Sequence, residues 1–217
     1  MARPKKNILS PQIIAETALK LVEQKHDFTI PGIAAELGVN PSSLYHHVIG
    51  GRAEIIKLMR RALYEQIDLS ALTDRGQPWQ DRLEQWIRSY REASAQVPAA
   101  LPLLIGAAVD DSLTLQIYEV LFTILDQAGV AEDRQLAVAA MLDAIVIGSA
   151  IDAASPDPLW SAGEELPRLA ALADPGAMTR RTREGLDLAV SAAVAQIEAI
   201  VRGRTRGRAT PGAQRQG

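Results

Sequence analysis

The spacing of apolar positions is helical along almost the whole chain. Ile14, Ala18, Leu21 and Val22 recur at intervals of three and four residues behind Ser10-Pro11, a capping serine followed by a first-turn proline. This predicts a helix to about Lys25. Thr29 and Pro31 open a second helix through Ile33, Ala34 and Leu37, which Gly38 ends because glycine tolerates the left-handed backbone of a C-terminal cap. Asn40-Pro41 starts a third, running to about Val48; Ile49-Gly50-Gly51 interrupts, and a long helix is predicted over about Arg52–Asp68. After a break at Leu72–Pro78, the positions Trp79, Leu83, Trp86, Ile87 and Tyr90 mark one face of a helix that stops before Pro98. A short helix over 99–106 follows, then one capped by Asp110 or Asp111 that carries Leu113, Ile117, Leu121 and Ile124 up to Gly129. The next, over about Glu132–Ala153, is apolar nearly all round and calls for burial on several sides. Residues 155–176 hold four prolines and two glycines and read as a connection with one helical turn at 164–172, before a last helix over about Thr179–Val201. Alternating strand patterns and Asn-Gly or Asp-Gly turns are absent, so the expected fold class is all-α.

Charge divides this helical chain into parts. Its net charge is −3, yet residues 1–61 carry nine Lys/Arg against five Asp/Glu, a net of +4. Residues 62–201 carry nine against twenty-one, a net of −12, and residues 202–217 carry five Arg and no acid, a net of +5. A basic head on an acidic body predicts that one end meets a polyanion. The expected organisation is a basic head over 1–60, a larger acidic domain over 61–201, and a disordered basic tail over 202–217. Cysteine is absent, which removes disulfides and thiolate metal sites and fits a reducing compartment. No apolar segment follows the basic start, and Asp143 and Asp152 interrupt the longest apolar run. The expectation is a cytoplasmic protein with no membrane partner.

The chemistry is concentrated at residues 29–48, which form helix, short turn, helix. Ile33, Leu37, Val39, Leu44 and Val48 are spaced to close a small core with the first helix, which leaves Ser42, Ser43, Tyr45, His46 and His47 toward the exposed side of the second. A helix projecting from a compact three-helix unit fits the major groove of B-DNA. Arg3, Lys5 and Lys6 precede the first helix and are placed to follow the phosphate backbone, adding salt-dependent affinity. His46 and His47 point about 100° apart on a helix; with His26 the only other histidine, no metal site is expected, and no cofactor.

Leu37-Gly38-Val39 and Leu44-Tyr45-His46-His47-Val48, with a helix immediately after, resemble the TetR family of bacterial repressors over about residues 8–60. The resemblance implies an N-terminal three-helix helix-turn-helix domain, a larger helical ligand-binding domain and an Ω-shaped homodimer whose ligand changes the separation of its reading heads. It further implies base or nearby phosphate contacts for Ser42, Ser43 and Tyr45, and phosphate contacts for Thr29, His46 and His47. Two positions depart from the pattern: Pro31 stands where tetracycline-repressor relatives carry a basic residue, and Gly51 where many members carry lysine. Arg52 is the substitute expected at the second, and the operator is not expected to be shared with those relatives.

For the larger domain, Trp86, Tyr90, Leu104, Ile117, Tyr118, Leu121, Met141 and Asp143 are candidates for the lining of a site for a small hydrophobic ligand. Asp143 is out of place in an apolar helix unless it pairs with arginine, accepts a hydrogen bond from a ligand, or faces water. Ala140, Ile147, Ala189, Ala193, Val194 and Ile197 are small or apolar on two helices and are candidates for a dimer interface built as a four-helix bundle. A two-fold protein predicts a palindromic operator. A ligand-independent, nonspecific DNA-binding protein is the alternative. A helical enzyme lacks the inventory, with no cysteine nucleophile, no Gly-rich phosphate loop and no histidine away from the reading head.

Overall fold

The structure, a computed structural model, describes residues 9–155, 159–160, 162–163, 165–172 and 177–208, the side chains of 177–179 and 204–208 excepted. The described residues form helices only: α1 (Pro11–Lys25), α2 (Ile30–Leu37), α3 (Pro41–Tyr45), α4 (Arg52–Tyr64), α5 (Leu69–Leu72), α6 (Trp79–Ser94), a 3-10 turn at Pro98–Ala100, α7 (Leu101–Ile105), α8 (Ser112–Ala128), α9 (Glu132–Asp152), α10 (Pro167–Leu172) and α11 (Ala177–Arg208). The all-α expectation holds. The boundaries follow the capping chemistry, with Ser10, Thr29 and Asn40 each accepting a backbone N–H of the helix it opens. At the start of α8 it is Asp111 that accepts, from the Thr114 N–H at 2.9 Å.

Three boundaries differ from the expectation. α3 ends at Tyr45, with His46 and His47 in a turn closed by bonds to the Leu44 carbonyl. The long fourth helix stops at Tyr64, short of Asp68, and the short α5 begins only at Leu69. α11 runs on through Arg208, into the segment for which a disordered tail from residue 202 is expected. Helical hydrogen bonding is local and continues wherever no residue blocks it. Neither Gly203 nor Gly207 is followed by a proline before Pro211.

The chain divides into two compact units, the first comprising residues 1–68 and 92–117, the second 69–91 and 118–217. In the first, α1 packs on α4, α2 and the 3-10 turn, α2 packs on α3, and α4 packs on α7. The unit that carries the helix-turn-helix is therefore larger than residues 1–60. Its core is Ile14, Ala18, Leu21, Val22, Ile33, Leu44, Val48, Ile55 and Met59, all at most 3% exposed. Leu37 and Val39, expected in that core, are only half-buried. In the second unit α9 packs on α11, and the fully buried Arg82 donates to the Leu72 carbonyl at 2.8 Å and to Gln127. Gln127 in turn donates to the Gln77 carbonyl at 3.2 Å, so one side-chain chain pins the loop between α5 and α6.

α9 is 21 residues long with a mean hydropathy of 1.6 over 18 of them, which meets the length and composition of a bilayer-crossing helix. The core helix of a folded domain meets the same test, and 33% of that stretch is buried inside the protein. Both carboxylates are held inside the fold, Asp143 by the Tyr118 hydroxyl and Asp152 by Arg181 at 2.6 Å.

Candidate nucleic-acid interface and regulatory core

The reading head is built by its caps. The Thr29 hydroxyl accepts from the Gly32 N–H at 3.0 Å, and Gly38 closes α2 at φ +65°, where a Cβ would be strained. Asn40 accepts from both the Ser42 N–H at 3.0 Å and the Ser42 hydroxyl at 2.7 Å. Leu44 and Val48, both 0% exposed, fasten α3 to the core from one side. The same fastening leaves Tyr45 53% exposed beside exposed Ser42, His46 and His47, with Ser43 half-buried and Thr29 exposed at the start of the preceding helix. The candidates Thr29, Ser42, Ser43, Tyr45, His46 and His47 thus gather around one short helix. Arg3, Lys5 and Lys6 lie outside the described residues.

Arg52 is engaged differently from the expectation. It donates to Asp27 Oδ1 and to the Phe28 carbonyl, each at 2.6 Å, and its guanidinium carbon lies 4.4 Å from the Phe28 ring centroid. The hydrogen bond from Arg52 holds the Asp27 carboxyl below its ordinary value. Arg52 therefore clamps the start of α4 to the segment entering α2, through partners that its own sequence neighbourhood does not reveal.

The sequence reading missed Arg60. It lies in the apolar register of α4 between Ile56 and Tyr64 and is 2% exposed. Its guanidinium donates to the carbonyls of Leu104 at 2.8 Å, Ala107 at 3.1 Å and Ala108 at 3.3 Å, and to Asp111 Oδ2 at 3.0 Å. Those carbonyls lie in and just beyond the last turn of α7, where a cation is favoured by the unpaired acceptors of a helix end. Burial alone would raise the Asp111 carboxyl, but hydrogen bonds from Thr114 and Arg60 outweigh it and hold the group below its ordinary value. Next to it Lys57 meets Asp110 at 2.6 Å. The one sequence signal for this cluster is an arginine in an apolar helical register; its partners lie more than forty residues away and leave no local trace.

Of the ligand candidates, Trp86, Tyr90 and Tyr118 form an edge-to-face cluster in the second unit, with centroids 5.2 to 6.4 Å apart. The Tyr118 hydroxyl donates to Asp143 at 3.0 Å (Oδ1) and 2.9 Å (Oδ2). Asp143 pairs with a tyrosine, then, and not with arginine. Leu121 is fully buried in the same unit and Met141 half-buried, while Leu104 and Ile117 are core residues of the other unit.

Burial pushes the Asp143 carboxyl above its ordinary value, and the Tyr118 hydrogen bond only partly opposes this. A raised folded-state value means that stability falls as pH rises past the ordinary carboxylate range. Asp143→Asn, whose amide oxygen still accepts from Tyr118, is expected to raise the melting temperature at pH 7.5. The gain should vanish below about pH 4, where the carboxyl is protonated in both states. Melting curves at the two pH values check it.

Two of the dimer candidates are corrected by burial. Ala193 (2% exposed) and Ile197 (0%) point into the protomer's own core and are not available to a partner. Ile147, Ala189 and Val194 are half-buried and Ala140 is exposed. The outward apolar face lies elsewhere on the same two helices. On α9 it runs through Leu136 (76% exposed), Ala140, Ala144, Gly148 and Ile151, and on α11 through Leu188 (72% exposed), Ala192, Ala195 and Ala199. Both follow the three-and-four spacing of one helix face; the sequence pattern could not separate this face from the inward one because both are apolar.

A short capped helix fastened along one side to a compact helical core is the arrangement of a helix-turn-helix DNA-binding regulator. Residues 72–179 match the family model described as the tetracyclin repressor-like C-terminal domain. Over that stretch the chain is similar to the C-terminal domain of TetR-family transcriptional regulators. Among solved structures it is similar to TetR from Acinetobacter baumannii AYE (17% identity, 87% of this chain and 98% of that one, TM-score 0.65). It is also similar to ActR from Streptomyces coelicolor in complex with actinorhodin (19%, 87% and 98%, 0.64). A third is Mycobacterium smegmatis BioQ (22%, 88% and 99%, 0.62). At these identities the likeness is one of fold. No curated protein matches the sequence.

Proposed function

We propose that the protein is a homodimeric repressor that occupies a palindromic operator and is released when a small hydrophobic ligand binds its larger domain. The observation that carries the reading is Tyr45, a large aromatic side chain left 53% exposed on a helix whose neighbours Leu44 and Val48 are fully buried. Nothing in the protomer's core requires an aromatic there, and base edges and sugar–phosphate offer it a partner. Ser42 and Ser43 flank it as base or phosphate contacts. Thr29, His46 and His47 serve as phosphate contacts, and Arg3, Lys5 and Lys6 add backbone attraction. Arg52 supports the head from within.

In this reading residues 1–60 read DNA, 61–201 bind ligand and dimerise, and 202–217 form a basic extension. The outward apolar face of α9 and α11 meets its copy across a two-fold axis as a four-helix bundle. No metal, cofactor or enzymatic step is required. The ligand acts by binding the DNA-competent and DNA-incompetent conformations with different affinity. ActR is seen in complex with actinorhodin, and a TetR variant from Acinetobacter baumannii AYE in complex with minocycline, which supports a small-molecule ligand for this chain.

The test is selection of bound fragments from the source genome by the purified protein at near-physiological salt. One or a few palindromic sites should be enriched. Tyr45→Ala should then cost about 1–3 kcal/mol at the selected site and much less on random DNA, whereas Lys5→Ala or Lys6→Ala should weaken both alike and lower the salt slope. Uniform recovery of fragments would point to the nonspecific DNA-binding protein instead.

A further inference from the structure

Resting on the DNA-binding reading above, we propose that Ile49 is a specificity-determining contact that reads the C5-methyl group of a thymine in the operator.

Ile49 is 91% exposed, more than any other large apolar side chain among the described residues. It directly follows Val48, as Tyr45 directly follows Leu44. Leu44 and Val48 are both 0% exposed and one helical turn apart, with the Val48 N–H donating to the Leu44 carbonyl at 3.0 Å. The residues after them, Tyr45 and Ile49, stand on the side turned away from the core, and both are exposed. Of the three residues that precede α4, Ile49 alone carries a side chain, because Gly50 and Gly51 follow it. Gly51 sits at φ +60°, a conformation that favours glycine, and a Cβ there would meet nothing within 4 Å, so the turn is open to an approaching surface. The next cation along the chain, Arg52, is engaged by Asp27 and the Phe28 carbonyl. The turn therefore presents one branched apolar side chain and no charge.

Single surface hydrophobics are common, and what sets Ile49 apart is its setting. Leu136 and Leu188, the next most exposed at 76% and 72%, each belong to an apolar stripe, whereas Ile49 follows the exposed Tyr45, His46 and His47 of the reading head. One side chain cannot supply the roughly 800 Å² per partner that a stable protein interface buries, so a second protein is a poor occupant. A phosphate gains nothing from it, since isoleucine brings neither charge nor side-chain donor. In the major groove the apolar group on a base edge is the thymine methyl, and apolar side chains are what reads it. One exposed isoleucine beside a side-chain-free turn matches a target of that size.

The test starts from a palindrome selected by the full-length protein. Each thymine, together with its symmetry mate, is replaced in turn by deoxyuridine, which removes the methyl and keeps the base pair. At one position wild-type affinity should fall about fourfold per half-site, the factor that burial of one methyl-sized group gives. Ile49→Ala should lose about the same factor on the thymine operator, and should respond less than about twofold to deoxyuridine at that position. Ile49→Val, which keeps a branched apolar tip, should retain the response. Both variants should melt as the wild type does, because the side chain packs against little in the protomer. If Ile49→Ala keeps the full response to deoxyuridine, or weakens selected and random DNA by the same factor, the proposal is overturned and the DNA-binding reading stands. The same holds if no thymine of an enriched palindrome responds. If no site is enriched, the chain reads no sequence, and the repressor reading and this one fall together.

Discussion

Replacing Arg60 by alanine will destabilise the protein by about 3–5 kcal/mol, the range measured when one partner of a buried ion pair is removed. Domains of ordinary stability hold only about 5–15 kcal/mol in total, so the variant will be near its unfolding threshold at physiological temperature. The size of the effect comes from what stays behind. Asp111, itself 13% exposed in its side chain, loses the guanidinium hydrogen-bonded to it, and the Leu104 and Ala107 carbonyls lose their donor where water has little access. Arg60→Lys should fall between wild type and alanine, because one ammonium with three donors cannot serve four acceptors spread along residues 104–111. Urea denaturation at pH 7.5 measures the losses. The Asp111 carboxyl is held below its ordinary value, so its contribution is present above the carboxylate range and is lost as pH falls through the lowered folded value. The gap between wild type and Arg60→Ala should therefore shrink below about pH 4. A variant that melts within about 0.5 kcal/mol of wild type, the scatter of ordinary surface substitutions, would mean that Arg60 is not the buried anchor described.

Ala140→Glu will leave the protomer folded but monomeric. Ala140 is exposed in the protomer and lies at the middle of the outward stripe of α9 between Leu136 and Ala144, so the substitution disturbs no packing inside the chain. In a two-fold dimer it places two like charges in an apolar seam. An unpaired buried charge costs about 3–5 kcal/mol, which at about 1.4 kcal/mol per decade raises the dissociation constant of the dimer by two to more than three orders of magnitude. Affinity for a palindrome should collapse with it, since each half-site is then held by one head alone. Sedimentation at micromolar concentration and titration of a selected operator give the two readouts. A variant that stays dimeric places the interface on another face. Ile197→Glu is the contrasting substitution: at 0% exposure it should unfold the second unit before it separates any dimer.

The reading head was legible in the residue order because its geometry is local. Ser10, Thr29 and Asn40 cap helices that begin at the next residue, and Gly38 takes a positive φ that few other residues accept. Leu44 and Val48, four residues apart, turn inward and so leave Tyr45 outward. Each of these is decided within about one helical turn, where sequence spacing and spatial distance are the same quantity. The aromatic character of Trp86, Tyr90 and Tyr118 was equally visible, as was the oddity of Asp143 in an apolar helix.

Everything that depended on distant partners was decided only by the fold. Arg60 finds Asp111 across fifty-one positions and Arg52 finds Asp27 across twenty-five, and no periodicity relates such pairs. Asp143 chose tyrosine over arginine for the same reason. On α9 and α11 the pattern is apolar on both sides, so composition alone could not tell Ala140, which faces outward, from Ile197, which is buried in its own protomer. By itself the sequence determined most of the helices, their caps and which side of the third helix is left exposed, because backbone hydrogen bonding and capping act over three or four residues. Only the tertiary structure decided which charges are buried against which, and which of two apolar faces remains for a partner, because burial is a property of what the whole chain brings together.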